Sequence, residues 1–270
     1  MEHKSPRLII CGDSFNIGIG CVDINTQPYG TLLAKELGYQ LINLAKGSST
    51  NLSIWLQVEY AVKTLKANSN DIVIVAETSD ERFQWFAEGS NRIPGPISNL
   101  DVNYHEYPPY GESSYHQLLE KHPMADDPNY TGTMITENVR GIIDYLDNYV
   151  DKKMHSTYYS RLHNEPVKKL RALKTYYGSI HDENISGIQS KALMSMSHLL
   201  LRNAGVRHLI TMTYPDPVYG IVQDENILQL SWGQVTLDWP DTVDSGHASE
   251  QGHIEVKSVL LNKLKENGWA

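Results

Sequence analysis

Asp71-Ile72-Val73-Ile74-Val75-Ala76 is the segment that most narrows what this chain can fold into. It is dense in β-branched residues, and an apolar run of this length without polar alternation is a strand covered on both faces. Two other runs share its character: Leu8-Ile9-Ile10-Cys11, bounded by Gly12, and Leu41-Ile42-Asn43-Leu44, ending near Gly47. Helical patterns separate the three. Tyr29 to Leu37 carries Leu33 and Leu37 at i, i+4 and is stopped by Gly38. Residues 52–67 place Ile54, Val58, Ala61, Val62 and Leu65 on one stripe. Strand, helix, strand, helix, strand with short connections calls for a parallel sheet with helices on both faces.

The pattern breaks after Phe86. Residues 87–133 are rich in Pro, Tyr, Asn, Gly and Ser, too long a stretch for an idle loop, and read as a lid or a surface excursion. Helical spacing returns from Glu137 to Met154, through Val139, Ile142, Ile143, Leu146 and Val150. A helix over Ser186–Asn203 ends at Gly205 and feeds a fourth parallel strand, Val206 to Met212. A last helix covers Ser249–Asn267, with Val256, Leu260 and Leu264 facing inward. The expected fold is α/β: a three-layer α/β/α domain over residues 1–270 with a flavodoxin-like parallel sheet. A large insertion, about 87–185, separates its third and fourth strands.

Composition removes several function classes. The 270 residues hold 40% hydrophobic and 20% charged side chains, enough for a packed core, and the formal charge is −9. An acidic balance argues against nucleic acid or an anionic membrane surface as main partner, since counterion release needs a basic face. Met1-Glu2-His3-Lys4-Ser5-Pro6-Arg7 leads into only four apolar residues, too few for a signal-peptide core. A cytoplasmic location is expected, or a virion or host cytoplasm for a phage-encoded protein. Cys11 and Cys21 form no disulfide framework and are expected as free thiols.

In an open α/β sheet, ligands bind beyond the C-terminal ends of the strands, near the point where strand order reverses. Three loops fall there: Gly12-Asp13-Ser14, Gly47-Ser48-Ser49-Thr50-Asn51 and Glu77-Thr78-Ser79-Asp80. The first is a nucleophile turn, a phosphate turn or merely a turn. Near the C-terminus, "DSGHASEQGH" puts Asp244 three residues before His247 and just ahead of the last helix. One short loop would thus bring an imidazole to Ser14 and a carboxylate to the imidazole's far nitrogen. A serine hydroxyl needs such a base, and the base needs a group fixing its tautomer.

GDS after the first strand, a glycine loop after the second and D-x-x-H before the last helix resemble the SGNH (GDSL-type) hydrolase family. "PYGTLLAKELGYQLINLAKGSSTN" is similar in texture to that family's helix-strand-glycine segment. The resemblance, strongest to short-loop versions from tailed bacteriophages, covers residues 7–86 and 190–267. It implies Ser14 as nucleophile, His247 as general base and Asp244 as its orienting carboxylate. It also implies the N–H groups of Ser14 and Gly47 as oxyanion donors. The family's Gly-x-Asn-Asp block is not matched: Thr78-Ser79-Asp80-Glu81-Arg82 stands there without an Asn. A gapless count sets Asp80 at the Asn position, but a carboxylate would repel an oxyanion, so Ser79 or Thr78 is the expected hydroxyl donor. Asn51 and Arg82 are alternative donors and, with Trp85, candidate substrate-binding residues. The implied activity is hydrolysis of an ester, above all O-acetyl on a carbohydrate, through an acyl-enzyme on Ser14 without metal or organic cofactor. The rivals are an SGNH-fold structural or binding protein, such as a virion component, and an O-acyltransferase.

Other features read more plainly. Gly18-Ile19-Gly20 lacks the third glycine of a dinucleotide loop, having Asp23 at that place. His247 and His253 are six apart and match no zinc spacing. His198 and His208 are expected at the core edge, and His253 in the first turn of the last helix. The sixteen tyrosines, with Trp85, Trp232 and Trp239, suit either sugar stacking or a protein interface. The 87–185 segment is the expected surface for a protein partner or self-association.

Overall fold

The middle of the sheet is the run that the sequence marks most strongly. In a computed structural model, described for residues 5–46, 49–78, 80, 82–86, 134–138, 175, 183–212, 225–241 and 247–270, five parallel strands form the main sheet. They are β1 (Arg7–Cys11), β2 (Gln40–Asn43), β3 (Ile72–Ala76), β6 (Arg207–Met212) and β7 (Ile227–Gln229), ordered β2-β1-β3-β6-β7. Ile9 lies opposite Ile42 on one side and Val73 on the other; Val73 in turn faces His208. Counted within this sheet the order is 2-1-3-4-5, a doubly wound order whose switch point falls between β1 and β3.

Period two divides the buried strand residues between two cores. Leu8, Ile10, Ile72, Ile74 and Leu209 face helices α2 (Tyr29–Leu37) and α6 (Glu250–Glu266), through Tyr29, Leu33, Val256, Leu260 and Leu264. Ile9, Cys11, Val73, Val75, Ile210 and Met212 face α3 (Asn51–Lys63) and α4 (Glu183–Asn203), through Ile54, Val58, Ala61, Met194 and Leu201. That is the expected helix–sheet–helix layering. Cys11 and Cys21 are free thiols. Among the described residues no helix is long and apolar enough to cross a membrane.

Five elements depart from the sequence reading. Arg82–Phe86 is a strand, β4, paired antiparallel with β5 (Met134–Asn138) in a separate two-stranded sheet. Glu137 and Asn138, expected to open a helix, therefore lie opposite Phe83 and Arg82. A long-range ladder partner overrides local helical spacing there, and 139–154 lie outside the described residues, as does most of the 87–185 segment. Helix α3 stops at Lys63 rather than 67, because Arg7 captures the carbonyls of Leu65 and Lys66 and Lys66 turns to φ +54°. Strand β7 and helix α5 (Trp232–Asp238) are additions. The first is three residues long and ends in a glutamine. The second, a short helix, is capped by the Ser231 hydroxyl accepting from Gln234 N–H at 3.2 Å.

One ion pair ties the N-terminal edge of the sheet. Arg7 opens β1 and Asp71 precedes β3; the guanidinium donates to both carboxylate oxygens, at 3.0 and 2.6 Å, and Arg7 N–H adds a third bond at 3.1 Å. Burial would raise the Asp71 carboxyl, but hydrogen bonds from Arg7 and Asn68 together with the Arg7 charge outweigh it and hold it below the ordinary 3.8. A depressed carboxyl stabilises the fold fully above its unfolded value, and that contribution drains away as pH falls through the folded one. Asp71→Ala is expected to lower unfolding free energy by about 3–5 kcal/mol at pH 7, because it leaves a half-buried guanidinium unpaired. Urea titration measures this, and the gap between variant and wild type should narrow below pH 4.

Candidate active site

Residues 12–17 leave β1 at the switch point and turn straight into a single-turn helix, α1 (Ser14–Ile17). The Gln57 side chain, on the buried stripe of α3, grips the Gly12 peptide from both sides. Its Oε1 accepts Gly12 N–H at 2.7 Å and its Nε2 donates to Gly12 C=O at 3.0 Å. Lys46 N–H donates to the same carbonyl at 3.2 Å, so the exits of β1 and β2 share one anchor. Gly12 is needed for room rather than for a left-handed backbone: a Cβ there would sit 2.4 Å from Asn16 Nδ2.

Asp13 is the N-cap of α1 and only 1% exposed. Its Oδ1 accepts from Phe15 N–H at 3.1 Å and Asn16 Nδ2 at 3.0 Å, and its Oδ2 accepts the Thr78 hydroxyl at 2.6 Å. Asn16 is held in turn by the Tyr29 hydroxyl, donating to Oδ1 at 2.8 Å, and by Asn43, donating to its carbonyl at 3.0 Å. Side chains from α2, β2 and the β3 exit thus converge on one turn. Ser14 stands on it as the first helical residue, a position whose N–H has no partner inside the helix.

The Ser14 hydroxyl lies 2.9 Å from His247 Nε2, across 233 positions of sequence. A narrow antiparallel clip carries the histidine: Asp241 N–H donates to His247 C=O at 3.1 Å, Ser249 N–H to Trp239 C=O at 2.8 Å, and Pro240 bridges Ala248. Gly20, at φ +102°, lets the loop after α1 run against this clip; a Cβ would fall 2.4 Å from Ala248 C=O and 3.1 Å from His247 Cβ. Gly20, the second glycine of Gly18-Ile19-Gly20, therefore helps seat the histidine, whereas Gly18 runs against Pro28. In the tautomer protonated on Nδ1, Nε2 accepts the serine proton, as nucleophile activation requires.

The other expected site residues fare differently. Asp244, Gly47 and Ser79 lie outside the described residues. Thr78 donates its hydroxyl to Asp13, which directs it to the cap rather than to an oxyanion. The Asn51 amide is occupied on both ends by the Thr78 backbone, accepting its N–H at 2.9 Å and donating to its C=O at 3.0 Å. Asp80 turns a carboxylate oxygen to Gly187 of α4. Arg82 and Trp85 sit on β4, and their side chains are outside the described residues. Trp232 is 3% exposed and so is closed to a sugar ring, whereas Trp239 is 41% exposed. No group of three His, Cys, Asp or Glu among the described residues could hold a metal ion.

The other three described histidines are structural. His208 Nε2 meets His198 Nδ1 at 3.0 Å inside the core beneath α4. His253, in the first turn of α6, accepts Tyr29 N–H on Nδ1 at 3.3 Å and packs against Tyr29 and Trp232. Burial first, then the charge of His247, pushes its pKa down to about 4. Gln57, Asn16, Phe15 and Tyr29 escaped the sequence reading. Only Gln57 leaves a trace, as a polar residue three positions after Ile54 on an otherwise apolar stripe.

Compared with protein-family models and with curated proteins, the chain matches none.

Two outcomes follow from this geometry. Asp13→Ala removes the acceptor of three buried donors and is expected to lower stability by about 2–4 kcal/mol in urea titration. Asp13→Asn should cost far less, because the Thr78 hydroxyl can rotate to accept. For His253, the unfolded state binds the extra proton between pH 6.5 and about 4. Stability is accordingly expected to fall as pH drops across that window, by up to about 3 kcal/mol. His253→Gln should flatten that part of the stability–pH curve.

Proposed function

We propose that this chain is a serine esterase of SGNH type. The observation that carries the reading is the 2.9 Å contact between Ser14 Oγ and His247 Nε2, formed at the switch-point end of a parallel sheet. The Ser14 hydroxyl attacks the ester carbonyl while His247 Nε2 takes its proton. Asp244, three residues before His247 in the sequence, is the residue that holds the Nδ1–H tautomer in this reading. Negative charge on the carbonyl oxygen is met by backbone N–H of Ser14 and Gly47, with Ser79 as the hydroxyl donor left by the engagement of Thr78. The imidazolium then protonates the leaving alcohol, and an acyl group stays on Ser14. Water, activated by the same histidine, releases the acid and restores the serine. No metal or organic cofactor enters these steps. The resemblance to SGNH hydrolases favours an O-acyl group on a carbohydrate, acetyl above all; an acyl transferase would use the same residues and exclude water.

A second reading, a binding or structural protein that keeps this fold, is favoured by one observation. Thr78 and Asn51 both turn their polar groups away from a developing oxyanion, and losing one such donor costs about 10²–10³ in rate. Ser14→Ala separates the two. For an esterase it should abolish turnover of 4-nitrophenyl acetate while moving the thermal midpoint by no more than about 2 °C, because one hydroxyl contributes little to folding. A serine-reactive phosphonate should label Ser14 in the wild type and nothing in the variant. Equal turnover by both proteins, with no label on Ser14, would leave the binding protein as the better reading.

A further inference from the structure

Phe15 follows Ser14 directly, and its N–H donates to Asp13 Oδ1 at 3.1 Å, so the cap that presents the serine also sets the direction of the phenyl ring. That ring lies against the imidazole of His247, with centroids 4.6 Å apart and planes inclined by 38°. Behind it stands Trp232, stacked on Phe15 at 5.4 Å and 25°. Trp232 is buried and packs onward against Tyr29 at 5.8 Å and His253 at 5.5 Å. His247 is thus the outermost member of a row of rings rooted in the core beneath α2 and α6.

Hydrogen bonds made in the ring plane do not fix an imidazole by themselves, since the ring can still rock about the line of those bonds. A flat neighbour within van der Waals reach stops the rocking. The face of an aromatic ring also attracts a cation, and in the esterase reading His247 gains positive charge as it takes the serine proton. We propose that Phe15 is a positioning residue for His247: it holds the imidazole plane toward Ser14 and favours the imidazolium that forms in the transition state. This rests on the reading of Ser14 and His247 as nucleophile and base. Because the attraction grows only as the proton moves, its loss belongs in kcat rather than in KM.

The test compares the full chain with Phe15→Leu, Phe15→Tyr and Ser14→Ala on 4-nitrophenyl acetate, after thermal melts show that each is folded. Phe15→Leu keeps an apolar side chain without a π face and should lower kcat about five- to thirtyfold. Its KM should stay within about twofold. Phe15→Tyr restores the ring and should return kcat to near the wild-type value. Wild-type kcat in Phe15→Leu overturns the proposal. So does a loss that Phe15→Tyr fails to recover, which marks plain packing, or a change confined to KM, which marks contact with substrate. Wild-type turnover no faster than that of Ser14→Ala fails the esterase reading itself and takes the proposal with it, whereas failure of Phe15 alone leaves Ser14 and His247 in place.

Discussion

A single buried carboxylate organises the switch-point end of this sheet. Asp13 has no access to solvent, so its lone pairs must be answered from within the protein. Among the described residues three places answer them: the backbone of α1, the amide of Asn16 and the hydroxyl of Thr78. Those three belong to the turn after β1 and the exit of β3. The two central strands are therefore locked to each other at the end where their backbone ladder stops. Gln57 and Asn43 extend the lock to α3 and β2, and together they leave Ser14 little freedom except in its hydroxyl.

The same economy explains what Thr78 and Asn51 do here. Both lie close enough to the turn to be taken for donors to a ligand, and both are drawn into holding the β3 exit instead. A buried polar group satisfies its nearest unmet partner before it serves a molecule that is present only some of the time. In the proposed esterase, charge developing near Ser14 then falls to the backbone N–H groups of Ser14 and Gly47 and to the Ser79 hydroxyl.

How much of this was legible in the sequence depended on whether the signal was local. Ile72–Ala76, Leu8–Cys11 and the stripe through Ile54, Val58 and Ala61 declare their environment by residue type and spacing, and the structure uses them accordingly. Strand β7 is too short to stand out, and β5 overlaps the start, at Glu137, of helical spacing. In both, the decision rests with a partner far along the chain. The site divides similarly. Ser14 and His247 stand out only in combination, GDS after the first strand with D-x-x-H before the last helix, because either pattern alone is common. Asn16, Gln57 and Phe15 are ordinary residues whose roles come from what the fold sets beside them.

The clip that carries His247 lies 233 positions along the chain from the serine it meets. A chain emerging from the ribosome exposes β1, α1, β2 and β3 well before the clip and α6 exist, and the early strands can already pair. Closing so long a loop costs only modestly more entropy than closing a short one, but it cannot happen until the clip itself has been made. In the proposed esterase the serine is therefore born early and armed late: a half-made chain carries the Ser14 turn without the histidine that takes its proton.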